Sequence, residues 1–375
     1  MDANTPDGLL RWFSELEDPR VGHNIQHVFS DLLAIAILAV ICGAEGWVEV
    51  AVFGRCKEDW LKTFLHLPNG VPSHDTFGRV FSKIKPDQFE CCFLNWTAHL
   101  AKHKKRLVAI DGKTLRSSFD HANEKSAIHM VIAWCQENHL VLGQITTDAK
   151  SNEITAIPKL LELLDIKGAI ITTDAMGCQK KITENIVDAE ADYILQVKDN
   201  HPTLHGELKL LFEKGLRDDC LGIAYDFHEH TNGGHGRIET RRIWVTHEIN
   251  WFSERRQWKG LSCFICVEAT RTQQGNTSVE RHYYLSSLEG ILACEFLALI
   301  RGHWSIENKL HWSLDVNFRE DDCRIRKGHS AENFSRLRRL ALNLLKKDKT
   351  RKVGVKCKTK ACSWDHDYLL QILTQ

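Results

Sequence analysis

Two apolar runs in this 375-residue chain each end on an aspartate: LVAIDGK carries Asp111 and GAIITTDAMG carries Asp174. Such runs read as β-strands. If the two are neighbours in one sheet, both carboxylates emerge at strand ends, where α/β folds place ligands. Taken singly, either aspartate is explained more simply as a turn or helix cap. A third acid lies in HWSIENKLHWSLDVNFRED. On a helix Glu307, Leu310 and His311 share one face, with Trp304 and His311 about a turn to either side of Glu307. The aromatic positions are expected to pack and to leave Glu307 facing a site. Asp315, Glu320, Asp321 and Asp322 compete for that role, and spacing does not choose among the five. Three convergent carboxylates without matching Cys or His ligands suit a hard cation such as Mg²⁺, which binds through one or two carboxylates plus substrate phosphates. Two such ions roughly 3.5 to 4 Å apart can activate an attacking oxygen and stabilise the leaving one in phosphodiester chemistry.

The charge distribution points to the same substrate class. Overall there are 49 Lys and Arg against 49 Asp and Glu. Residues 324–360, however, hold 14 Lys and Arg against only Glu332 and Asp348, a net +12 balanced by −12 elsewhere. Such a block suggests a nucleic acid, although a solvated helix face reads the same way. The candidate phosphate contacts are Lys113, Arg116 and Lys198 beside the predicted strand ends, Arg301, and Arg336, Arg338, Arg339, Lys346 and Lys347 within the block. Residues 68–85, with Arg79 and Lys83 on a short helix after an Asn, Gly and Pro turn, fit the second helix of a helix-turn-helix. Ordinary helix packing fits them slightly better.

Other chemistries find less support. The chain has no H-E-x-x-H helix and no G-x-x-x-x-G-K-[ST] loop. Cys263 and Cys266 lie in a strand-like run, where i and i+3 point to opposite faces, and Cys357 and Cys362 lack a second pair. The pairs His23/His27, His99/His103 and His201/His205 arise readily by chance among 20 histidines. The 13 cysteines, an odd number set mostly in apolar stretches, read as reduced residues. The longest apolar run, Leu32 to Cys42, has 11 residues, well short of the roughly 20 needed to span a bilayer. With no basic and apolar leader at Met1, the expectation is a cytoplasmic, nucleoid-associated protein without a membrane partner.

The elements that must position these residues follow from period and punctuation. Residues 1–100 read as helices, with Ser30 or Asp31 capping the apolar run and Ser73 or Asp75 capping the short helix. After the basic break KHKKR come three strands, Leu107 to Asp111, Ala127 to Trp134 and Leu140 to Thr147. A helix, the Gly168 to Asp174 strand, a second helix and the Tyr193 to Lys198 strand follow, and a mixed sheet flanked by helices is expected. Residues 201–288 look like a β-rich insertion with turns at NGGHG and RTQQGNTS. Helix returns from Ile291 to about Lys347. The expected division is an N-terminal helical domain over 1–100, a catalytic domain over 105–350, and a basic tail over 351–375.

The phrases GAEGWVEVAVFG, NGVPSHDTFGRVFS, AIDGKTLRSS, GQITTDAKSNEITAIPKLLELLDI, TTDAMGCQKKI, ADYILQVKDNH, HGRIETRR, YYLSSL, RGHWSIENKLHWSLDVNFREDDCRIR and NFSRLRRLALNLLK resemble the H-repeat-associated insertion-sequence transposases of the DDE superfamily. The resemblance runs in order from about Leu9 to Leu373. It implies a ribonuclease-H-like α/β core with an N-terminal helical domain and a β-rich insertion between the second and third acids. It also implies an Asp-Asp-Glu triad holding two divalent ions, Mg²⁺ or Mn²⁺. By motif the triad is Asp111, Asp174 and Glu307. Double-stranded DNA, as element ends and target, would be the partner, and synapsis of two ends calls for a dimer or larger assembly. The implied function is metal-dependent phosphodiester hydrolysis and strand transfer at the ends of an insertion element. The alternatives are a catalytically inactive or domesticated DNA-binding copy, or a host nuclease with the same core. Two departures stand out. The Arg and Lys of the broader Tyr, Arg, Glu, Lys signature are replaced by His303 and Leu314, the nearest arginine being Arg301, and Ser117 stands where the subgroup has Gly.

Overall fold

The apolar run becomes the middle of the helix Phe29–Ile41, in which every residue from Asp31 to Ile41 is buried, as expected of a helix surrounded on all sides. Its N-cap is Val28, not Ser30 or Asp31. Asp31 turns inward and accepts the Leu67 amide at 2.9 Å, so burial converts the expected cap into a loop anchor. The helix His74–Phe81 does begin at Ser73, whose hydroxyl accepts the Thr76 amide. The computed structural model describes residues 7–22, 25–101, 107–119, 126–147, 153–217, 224–234 and 237–375. The KHKKR break, His23, His103, and the His-Gly of NGGHG lie outside them.

The sheet has nine strands in the order β3-β2-β1-β4-β5-β9-β8-β7-β6. They are β1 (Leu107–Thr114), β2 (His129–Cys135), β3 (Leu140–Thr146), β4 (Ile170–Thr173), β5 (Asp192–Val197), β6 (Asp226–Gly234), β7 (Arg237–Thr246), β8 (Cys263–Gln273) and β9 (Asn276–Ser286). The first three run antiparallel, while β1, β4 and β5 run parallel. The β-rich segment is not a separate layer: β9 pairs with β5, so its four strands extend the same sheet. It also opens on a helix, Pro202–Arg217, that the β-rich reading did not separate. The β8–β9 hairpin turns at Gln274 and Gly275, both with positive φ, as a two-residue primed turn requires.

One face of the sheet is covered by the helices Glu153–Leu163, Lys180–Asp188 and Pro202–Arg217. Against the other, the N-terminal helices and the last helices close around one core. Leu32, Phe77 and Phe93 share it with Leu337, Leu344 and Leu373, and with Ala109, Ile132 and Trp134 of the sheet. Residues 351–375 are therefore no tail: they form the helices Val355–Trp364 and His366–Thr374, the second burying Tyr368, Leu369, Ile372 and Leu373. The helical stretch expected from Ile291 to about Lys347 comprises Ala293–His303, a π-helical turn Ile306–His311, Trp312–Phe318, the 3₁₀ turn Glu320–Asp322, and Ser330–Lys347. The division is set by Arg319, in the left-handed region, and by Gly328 (φ 54°), where a Cβ would lie 2.5 Å from the Ser82 carbonyl oxygen. No described helix is long and apolar enough to cross a membrane.

Candidate active site

Strands β1 and β4 pair in parallel with Ile110 opposite Thr173, so the next step along each strand brings Asp111 and Asp174 side by side. Each carboxylate is held by backbone amides. Asp111 Oδ1 accepts the Gly112 amide at 2.9 Å. Asp174 caps a 3₁₀ turn, its Oδ1 accepting the amides of Met176 at 3.0 Å and Gly177 at 3.4 Å. Burial pushes the Asp111 carboxyl up to about 7, and the negative charges of Asp174, Glu153 and Glu307 push the same way against the Gly112 amide. Asp174 is also raised, by burial and by Glu153, while its two amides and exposed Lys198 oppose the shift.

Glu307 is exposed on the π-helical turn Ile306–His311, and the Trp312 amide reaches back five residues to its carbonyl. Single π turns within helices recur at functional sites. His311, on the same turn, places Nδ1 3.7 Å from Asp111 Oδ2. Burial and the nearby Lys113 push this ring down to about 3, so it is neutral near pH 7 and the contact is no ion pair. The expected packing role of the tryptophans is corrected: Trp304 is 40% and Trp312 56% exposed. His303 and Leu314 have structural reasons to differ from the broader signature. His303 is buried with Nδ1 3.0 Å from Thr172 Oγ1, and Leu314 is fully buried in the core. Neither place can hold a solvated cation.

The four competing acids are all engaged. Asp315 receives two bonds from Lys113 Nζ, at 2.7 and 2.9 Å, and Asp321 stands 3.4 Å from the same nitrogen and 3.3 Å from Arg116 Nε. Asp322 pairs with Arg319, and Glu320 is buried against Arg339. Glu307 has no ion pair with a described residue. One carboxylate escaped the sequence reading. Glu153, at the start of the helix Glu153–Leu163, bonds His129 Nε2 at 2.9 Å and pushes up both Asp111 and Asp174. In the sequence it opens a helix after β3 and lies within GQITTDAKSNEITAIPKLLELLDI, where nothing marks it as a site residue. Among the described residues no three His, Cys, Asp or Glu side chains are arranged to enclose a metal ion.

The cationic candidates separate sharply. Arg336, Arg338 and Arg339 cannot reach a phosphate, being 2%, 1% and 0% exposed. Arg336 bonds Glu90 at 2.7 Å and Glu332 at 2.9 Å, Arg339 bonds Glu320 at 2.8 Å, and Arg338 lies over the Phe334 ring. The expectation fails because every residue from Ser330 to Leu345 is buried, so the helix has no solvated face, and Arg336 and Arg339 are neutralised by Glu90, Glu332 and Glu320. Lys113 is likewise buried in its ion pairs. Lys346 is half-buried with Nζ donating to the Lys309 carbonyl at 2.7 Å, and Lys347 is half-buried. Lys198, Arg301 and Arg116 are exposed, the last beside Asp321. Lys358, elsewhere in the basic block, is buried against Asp348.

A second cationic region borders the helix His74–Phe81. Cavities of about 440 and 520 Å³ flank it and share Arg79. Lys83 lines the first, and Arg326 and Lys327 line the second. None of these four makes an ion pair with a described residue. The helix is fastened to the catalytic side, since Asn333 Nδ2 donates to the carbonyls of Phe81 at 2.9 Å and Ile84 at 3.0 Å. Arg326 also donates, at 3.4 Å, to the Ser117 carbonyl in the segment that follows β1.

Residues 102–344 match the transposase DDE domain family, and residues 10–97 match the region associated with that domain. The chain belongs to the DDE transposase family. It is 42% identical over 373 residues to the "H repeat-associated putative transposase YhhI" of Escherichia coli K12, with 97% of each chain covered. A relative called YncI in E. coli O157:H7 is 42% identical over 370 residues, covering 97% of this chain and 94% of its own. YbfD of strain K12 is 44% identical over 234 residues, 62% of this chain and 91% of its own. A piggyBac transposase synaptic complex with hairpin DNA covers 100% of this chain and 83% of its own at TM-score 0.44 and 10% identity, too remote to bear on the site. As a member of this family the chain is a DNA transposase, of a class that works with divalent cations.

Proposed function

We propose that Asp111, Asp174 and Glu307 form the catalytic triad of this transposase and hold two divalent cations, Mg²⁺ or Mn²⁺, at the ends of β1 and β4. The observation that carries the reading is the parallel register that sets Asp111 beside Asp174, with Glu307 near enough to raise the Asp111 carboxyl. The residues fit a hard cation: the donors are carboxylates, and Asp111 is pushed up to about 7 first by burial and then by like charges that a cation would offset. An open arrangement suits ions whose remaining positions are filled by phosphate oxygens and water. When bound, such ions activate an attacking oxygen and stabilise a leaving one. The chain's own part is to hold the two aspartates on backbone amides and to carry Glu307 on a turn packed beneath by buried Ile306 and Leu310. The strand order β3-β2-β1-β4-β5, antiparallel then parallel, supports a ribonuclease-H-like core.

With three of the expected arginines buried, the DNA path follows other cations. Lys198 lies near Asp174, Arg301 is exposed on the helix that precedes the Glu307 turn, and Arg79, Lys83, Arg326 and Lys327 line the cavities beside His74–Phe81, where the element's end is read. Synapsis of two ends requires a second copy, and the protein acts in the cytoplasm on the nucleoid. The test is nicking of a plasmid carrying the native flanks of the gene. Cation-dependent nicking and joining at those flanks is expected, whereas specific binding without either would favour an inactive DNA-binding copy, and nicking without joining a nuclease.

A further inference from the structure

Glu153 is given no chemical role by the sequence, where it only opens a helix, yet its carboxylate rests against the backbone that carries Asp111. A Cβ added at Gly112 would lie 2.1 Å from Glu153 Oε1 and 2.5 Å from His129 Nε2. Glycine is therefore needed at 112 for Glu153 to occupy this position, and the same glycine offers its amide to Asp111 Oδ1. The carboxylate is held from behind. His129 Nε2 stands 2.9 Å from Glu153 Oε1, and His129 Nδ1 stands 2.9 Å from Thr114 Oγ1. Thr114 and His129 are themselves paired across β1 and β2, so the chain Thr114, His129, Glu153 is built on two adjacent strands and aims at the helix start.

A fourth negative charge beside two aspartates costs free energy unless a cation offsets it. A role confined to the helix start, favourable to the helix dipole, would not require the close approach over Gly112. We propose that Glu153 is a fourth carboxylate of the cation site, with His129 as the positioning residue that orients it. The proposal rests on the reading of Asp111, Asp174 and Glu307 as that site.

The test is Mn²⁺ binding to the full-length protein, followed by electron paramagnetic resonance, with thermal melting in EDTA beside it. Glu153→Gln is expected to weaken Mn²⁺ binding by about tenfold, the low end of what loss of a supporting partner costs a metal site. It should not lower the melting temperature in EDTA. His129→Gln should weaken binding less, and Glu153→Asp, which keeps the charge on a shorter arm, should fall between wild type and Glu153→Gln. If Glu153→Gln fails to fold, the Glu153→Asp and His129→Gln affinities decide. Wild-type Mn²⁺ affinity in the Glu153 and His129 variants, with binding lost in Asp111→Asn, would overturn this proposal and leave the triad standing. Wild-type affinity in Asp111→Asn as well would overturn the triad and this inference together.

Discussion

Replacing Asp111 with asparagine should stabilise the cation-free protein. The folded carboxyl is pushed from 3.8 to about 7, with burial the largest cause and Asp174 next. The folded state therefore holds a proton that the unfolded chain releases near pH 4, and stability contributed by this group is lost as pH rises toward 7 and is level above it. At roughly 1.4 kcal/mol per tenfold, the cost of ionised Asp111 is bounded at roughly 4 kcal/mol at pH 8 and falls to roughly 1.6 kcal/mol at pH 5. Asparagine keeps the oxygen that accepts the Gly112 amide and removes the charge. Thermal melting in EDTA should place Asp111→Asn above wild type at pH 8, with the gap narrowing at pH 5. Adding Mg²⁺ should raise the wild type at pH 8 and move the variant much less. A variant that melts at or below wild type at pH 8, or a gap that ignores pH, would refute the electrostatic reasoning.

Other outcomes follow from the same geometry. Arg336→Ala or Arg339→Ala leaves buried acids unpartnered and should cost roughly 3–5 kcal/mol, read as a lowered melting temperature with the salt dependence of DNA binding unchanged in whatever protein remains folded. Alanine at Arg79, Lys83, Arg326 or Lys327 should leave melting nearly unaltered. Each should make the slope of log affinity against log salt shallower by about 0.9 if it meets one phosphate, and an unaltered slope in the fourfold variant would remove this path. Gly112→Ala should lose cleavage while keeping DNA binding, because its methyl would displace Glu153 and His129; full activity would contradict the close packing described there.

The parallel and antiparallel strands were legible because each is an apolar run with polar punctuation, and the aspartates because they end two such runs. Glu307 was not separable from Asp315, Glu320, Asp321 and Asp322 by spacing. Their partners Lys113, Arg116 and Arg339 are brought to them by tertiary contacts, and only Arg319, three residues before Asp322, is local. The basic block misled for a similar reason. Its arginines interleave with Phe334, Leu337 and Leu340 on a helix buried all round, and a charge count does not reveal that Glu90, 246 positions away from Arg336, neutralises one of them. Glu153 was hidden because its significance depends on β1, β2 and a helix meeting at Gly112, three segments with no common pattern. The π turn likewise leaves no mark in a 3.6-residue period.

The most direct test of the triad is strand joining by wild type, Asp111→Asn, Asp174→Asn and Glu307→Gln on an oligonucleotide duplex carrying the gene's flanking end, with Mg²⁺ and a target plasmid. Joined product from the wild type alone, with DNA binding intact and none of the three variants melting below wild type in EDTA, is the predicted result. Joining by any one of the three at the wild-type rate would contradict the assignment of that carboxylate to the site.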